Sequence, residues 1–171
     1  EMITFNGAAA SPKDADGKPI FPKDWQRPQT DQCVAYSVDG GRTFRKYGPV
    51  VPQIVPMNRD PKVQWVPEAG CWVMALYLEN NDYTLLYSDD LLHWEQGETM
   101  TLPDTAECPD IFRLYLDGDR DKPYWVYFGS PENYLVGQFE GRHFVHGQLI
   151  KGCTQLTPGG PKMFTDAAAY A

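Results

Sequence analysis

Two acidic positions carry the chemistry this chain can do. Asp60 stands in "NRDPKV" and Glu107 in "AECPDIF", 47 residues apart, Asp60 directly before a proline and Glu107 two residues before one, each at the mouth of an apolar, strand-like run. A turn needs only the proline and one Asp, and Asp110 is read as that turn residue. Glu107 is therefore surplus to the turn. Two carboxylates aimed into one cavity suit cleavage of a glycosidic bond: one protonates the leaving oxygen, while another attacks or stabilises the developing oxocarbenium ion. A Glu buried in such a cavity has its pKa raised by desolvation and by neighbouring carboxylates, which suits it to act as an acid near neutral pH.

Other constellations are poorer. His93, His143 and His146 are too scattered for a triad or a metal site, and His93 and His143 read as surface strand residues. Cys33, Cys71, Cys108 and Cys153 are 38, 37 and 45 residues apart with no C-x-x-C pair, so no zinc site is expected and reduced thiols are the default. "DGDRDKP" (117–123) has spaced acids but lacks the full calcium-loop pattern and reads as a solvated hairpin tip. Trp25 could stack on a sugar ring or anchor its loop. Neither a metal nor a cofactor is expected.

These residues must be positioned by β-structure. The 171 residues suit one domain; 42% are hydrophobic and 13% aromatic, with fifteen Gly and fifteen Pro. That composition fits many short strands joined by tight turns. The formal charge of −8 argues against nucleic acid or an anionic membrane as partner. No apolar run approaches the ~18 residues of a membrane-spanning helix. "EMITFNGAAA" does not read as a signal peptide, and the compartment stays open.

Helical periodicity is almost absent. "CWVMALYL" (71–78), "YTLLYS" (83–88), "YWVYFGS" (124–130) and "NYLVGQF" (133–139) read as strands, with "ENND" and "SPEN" as turns between them. Residues 11–31 read as a long polar insertion. The strands recur: "AYSVDGGRTF" (35–44) matches "LYSDDLLHW" (86–94), and "GQFEGRHF" (137–144) repeats the tail. Asp60 to Asp110 is 50 residues, and Trp72 to Trp125 is 53. A period near 50 with about four strands per unit predicts an all-β fold, a β-propeller. Blade one would run in part to about 48, blade two over about 57–97, blade three over about 108–147, and a fourth would start about 160–171. Three blades do not close a ring, so the rest of a longer chain would supply the remaining blades; an open three-sheet array that dimerises is the other reading. First strands line the central channel, which places Asp60 and Glu107 on adjacent innermost strands.

"NRDPKVQW", "CWVMALYL", "AYSVDGGRTFRKY" and "AECPDIFRL" together resemble glycoside hydrolase family 32, the β-fructosidases that include invertase, levanase and inulinase. The likeness runs from about Ala35 to Phe144. It implies a five-bladed catalytic propeller acting on sucrose or fructans, with Glu107 as acid/base and Asp60 as transition-state stabiliser. Arg59 and Asn58 beside Asp60 would contact the substrate, and Tyr170 would approach the pocket from the opening of the fourth blade. Cys108 would tune Glu107 or simply pack. One departure matters: the family's nucleophile is an Asp in a Trp-Met-Asn-Asp-Pro-Asn stretch, and this sequence contains none. "ITFNGAAA" resembles sequence further along that blade, so the nucleophile is expected upstream of Glu1 and the chain alone is expected to be inactive. A non-catalytic sugar-binding propeller of the same family and an arabinan- or xylan-cleaving relative are the alternatives.

Overall fold

The computed structural model describes residues 2–7, 15–16, 30–130 and 133–151. They form three antiparallel sheets. The first holds β1 (Met2–Gly7), β2 (Asp31–Tyr36) and β3 (Arg45–Val51) in that order. The second holds β4 (Arg59–Val66), β5 (Cys71–Tyr77), β6 (Asp82–Ser88) and β7 (Glu95–Thr101). The third runs β8 (Asp110–Tyr115), β9 (Pro123–Gly129), β10 (Asn133–Phe139) and β11 (Phe144–His146), and β12 (Ile150–Lys151) also pairs with β10. Strands β3 and β7 run past the edges read from the repeat, which were about 48 and 97. Trp25, Cys153 and the expected fourth-blade start lie outside the described residues.

Side-chain alternation explains how the sheets stack. In a strand, successive side chains point to opposite faces. On β5 and β6, Val73, Ala75, Tyr77, Tyr83, Leu85 and Tyr87 pack with Ile111, Trp125, Tyr127 and Leu135 of the third sheet. The intervening Met74, Leu76 and Leu86 pack instead with Val51 of the first. Strands β5 and β6 of the middle sheet are thus buried on both faces, which is why they read as continuous apolar runs rather than alternating ones. Strand β4 lies against both β1 and β8, so the first strands of the three sheets form one wall. This is the arrangement of consecutive propeller blades.

The recurring Ser-x-Asp sequence builds the outer hairpins. Asp39 Oδ1 accepts the N–H groups of Arg42 and Thr43 at 3.1 and 3.0 Å, and Thr43 Oγ1 donates to Oδ2 at 2.7 Å. One sheet on, Asp90 Oδ1 accepts Leu92 and His93 N–H at 2.9 and 2.8 Å, and Oδ2 pairs with His93 Nδ1 at 2.7 Å. Ser37 and Ser88 each bond their own Asp. Such Asx-type turns satisfy backbone donors locally. The hydrogen bonds, led by Thr43 for Asp39 and by His93 for Asp90, hold both carboxyls well below the usual range. His93, expected on a strand, therefore sits in a turn. In the third sheet Gly141 turns at φ 59° instead, and Glu140 N–H donates to His143 O at 2.9 Å.

Candidate active site

Asp60 is set by a bulge. Arg59 pairs with Tyr77 and Lys62 with Ala75, so three steps along β4 face two along β5. The extra residue falls at Asp60–Pro61. Pro61 has no N–H to give the ladder, and inside a sheet a proline belongs at such a bulge. Asp60 takes φ 60°, a left-handed value that a non-glycine residue adopts at a cost. Its Oδ2 accepts the Cys108 N–H at 3.2 Å, with Cys108 Sγ at 3.9 Å. A backbone N–H from the loop that leads into the next sheet thus holds this carboxylate.

Glu107 does not lie on a strand, as expected, but on the loop three residues before β8. Glu107 and Cys108 are both left-handed, at φ 73° and 44°. The loop is tied down at its backbone. Ala106 N–H donates to Ser130 O at 2.7 Å, and Ser130 N–H reaches Glu107 O at 3.4 Å. Within these 171 residues the Glu107 side chain is 54% exposed. A loop outside the sheets carries it, and the wall of β4 and β8 does not enclose it.

Arg59 joins the two acids. Its Nη2 donates to Glu107 Oε1 at 2.6 Å, and its Nε lies 3.7 Å from Asp60 Oδ2. Nη1 donates to Met57 O at 2.8 Å, and the guanidinium stacks 4.5 Å from the centroid of the Tyr77 ring. Held on three sides, the fork is pre-organised. With Glu107 half-exposed, the ion pair itself contributes no more than about 1 kcal/mol; its main effect is geometric. One atom each from Asp60, Glu107 and Cys108 lies within 4.8 Å of the others, a spacing that fits a single sugar ring.

The remaining expected residues fall elsewhere. Asn58 is fully buried. Its Oδ1 accepts Ile54 and Val55 N–H at 2.9 and 3.0 Å, and its Nδ2 donates to Thr30 O at 2.8 Å. Those bonds commit the amide to folding the loop before β4. Tyr170 lies outside the described residues. Asp110, expected as a turn residue, begins β8 and is buried, with Lys62 Nζ at 3.6 Å and the Ile111 N–H at 2.7 Å. Burial pushes its pKa up, against the pull of Lys62. Tyr77, Tyr83 and Lys62 were not singled out from the sequence. In a strand-like run they read as core or surface positions, and nothing in their spacing marks them as supports for the acids.

The chain as a whole resembles known proteins in both sequence and fold. The model of the glycosyl hydrolases family 32 N-terminal domain matches residues 14–169. The chain belongs to glycoside hydrolase family 32. Among curated family-32 proteins it is 34% identical to an invertase of Schizosaccharomyces pombe over 143 residues, 74% of this chain and 24% of that protein. It is 36% identical to a levanase of Bacillus subtilis over 132 residues, 66% of this chain and 19% of that protein. A solved family-32 structure, the fructofuranosidase of Schwanniomyces occidentalis complexed with fructose, superposes with a TM-score of 0.62 at 30% identity, over 70% of this chain and 26% of that one. The chain spans about a quarter or less of the length of these relatives.

Proposed function

We propose that this chain supplies the acid/base and the transition-state stabiliser of a retaining β-fructosidase that cleaves terminal β-fructosyl linkages of sucrose or fructans. The observation that carries this reading is the Arg59 fork, which bridges Glu107 and lies beside Asp60, with atoms of both acids within 4.8 Å. Protonated Glu107 gives its proton to the glycosidic oxygen as the bond to the fructosyl anomeric carbon breaks, and a nucleophilic carboxylate forms an ester to that carbon. Glu107, now ionised, takes a proton from water, whose oxygen attacks the same carbon and releases the nucleophile. Asp60 and Arg59 hold ring hydroxyls through both steps. An Asn-Asp-Pro-Asn stretch for the nucleophile is absent from these 171 residues, so the complete reaction belongs to a protein of full family length.

The test is Glu107→Gln in such a protein. General acid–base catalysis contributes about 10²–10⁴-fold, so kcat on sucrose falls by that order while fructose and sucrose still bind. Undiminished hydrolysis would remove Glu107 from the acid/base role. Loss of sugar binding together with hydrolysis would instead make it a residue that holds the substrate rather than the acid/base.

A further inference from the structure

Tyr83 stands 24 residues from Glu107 in sequence, yet its hydroxyl lies 3.2 Å from the Glu107 carbonyl oxygen and 3.0 Å from Thr105 Oγ1. The protons can be assigned. Thr105 Oγ1 donates to Leu102 O at 2.5 Å, which uses its only proton. The Tyr83 O–H therefore donates, shared between Thr105 Oγ1 and the Glu107 carbonyl. The other donor to that carbonyl is Ser130 N–H at 3.4 Å, a long bond. The carbonyl belongs to a residue at φ 73° followed by one at φ 44°, a pair that persists only where surrounding contacts over-determine it.

The tyrosine itself has no freedom to drift. It is fully buried, packed edge-on against Tyr77 at 5.3 Å and Tyr127 at 6.0 Å. Burial pushes its phenol pKa up to about 12, so it remains a donor. Tyr77 in turn carries the Arg59 guanidinium. Gly129 on β9 leaves room for the hydroxyl, since a Cβ there would lie 2.9 Å from Tyr83 Oη.

We propose that Tyr83 is a positioning residue for Glu107: its buried hydroxyl pins the carbonyl of the left-handed Glu107 and so aims the carboxyl at the glycosidic oxygen. This rests on the acid/base reading above. Without the hydroxyl the loop relaxes toward ordinary backbone angles and the carboxyl moves off line. A displacement of about 1 Å costs about 100-fold in rate.

The experiment uses a full-length family-32 protein carrying this chain, with kcat/KM measured on sucrose and on β-fructosyl fluoride, whose leaving group needs no proton. Tyr83→Phe is expected to lower kcat/KM on sucrose about 10- to 100-fold and to leave it largely intact on the fluoride. Tyr127→Phe makes the same chemical change one ring away, at a buried hydroxyl with no hydrogen-bond partner among the described residues, and is expected to change neither. Gly129→Ala, which forces the Tyr83 hydroxyl aside, gives the Tyr83→Phe pattern and serves should Tyr83→Phe not fold. Equal losses on both substrates, or no loss on sucrose, overturn the positioning role. Glu107→Gln run alongside separates the two readings: if it leaves sucrose hydrolysis intact, the acid/base assignment falls, and this one with it.

Discussion

The guanidinium of Arg59 rests on the ring of Tyr77, 4.5 Å from its centroid, and from there reaches Glu107 at 2.6 Å. A planar cation on an aromatic face is held flat, so its fork can serve two carboxylates at once. A lysine cannot reproduce that. Arg59→Lys in the full-length protein is expected to lower kcat/KM on sucrose about 10- to 100-fold, because the fork that orients Glu107 beside Asp60 is lost. Tyr77→Leu leaves Arg59 its bonds to Glu107 and Met57 but removes the ring under the guanidinium, with its edge contact to Tyr83 and its hydroxyl's bond to Asn80 O at 3.3 Å. It is expected to cost less, a few-fold, on the order of 1 kcal/mol. Steady-state kinetics would show whether that order holds.

Glu98 fastens the second sheet to the third. Its Oε2 accepts the Tyr87 hydroxyl at 2.9 Å and its Oε1 accepts the Phe144 N–H at 2.6 Å. Both donors belong to buried residues. Glu98→Ala strands them, at about 1–3 kcal/mol each, and Glu98→Gln, which keeps one acceptor, falls between. Urea unfolding of the chain measures this as a lower midpoint. An unchanged midpoint in Glu98→Ala would mean that water satisfies both donors.

Lys62 and Asp110 pair across the same two sheets at 3.6 Å. Asp110 has a folded pKa above its ordinary 3.8. Its contribution is therefore complete below 3.8 and is lost as pH rises through the folded value. Lys62→Met removes the charge that partly offsets this. The variant is expected to be destabilised by up to about 3 kcal/mol near neutral pH, with the gap to the parent closing as acid protonates Asp110. A gap independent of pH would refute the pairing.

The hairpin acids titrate in the opposite sense. Asp39 and Asp90 have folded pKa values lowered from 3.8. Their contribution is present above 3.8 and is lost as pH falls through the lower folded values. Replacing both with Asn is expected to flatten the acid limb of a pH–stability profile between about pH 4 and 2. A limb as steep as the parent's would show that these turns do not contribute to it.

Overpacking gives a further check on the third sheet. A Cβ on Gly137 would meet the Val145 carbonyl oxygen and His146 Cα, both backbone atoms that cannot swing away. Gly137→Ala is expected to cost about 1–3 kcal/mol, read as a lower thermal midpoint. A midpoint equal to the parent's would mean β11 moves aside freely.

The sequence by itself determined the all-β fold, the runs at 71–78 and 133–139, and the pairing of Asp60 with Glu107. Those rest on local signals: a period of two within strands, turn chemistry that closes within four residues as at Asp39 and Asp90, and a repeat near 50 that puts equivalent positions side by side. The stacking of sheets decided the rest. Glu107 stands on an exposed loop because Tyr83, Ser130 and Arg59 hold it there, from 24, 23 and 48 residues away. Asn58 lies inside because Thr30, Ile54 and Val55 claim its amide, although the sequence places it next to the acids. Contacts of that separation depend on how whole sheets face each other, and no window of neighbouring residues encodes that.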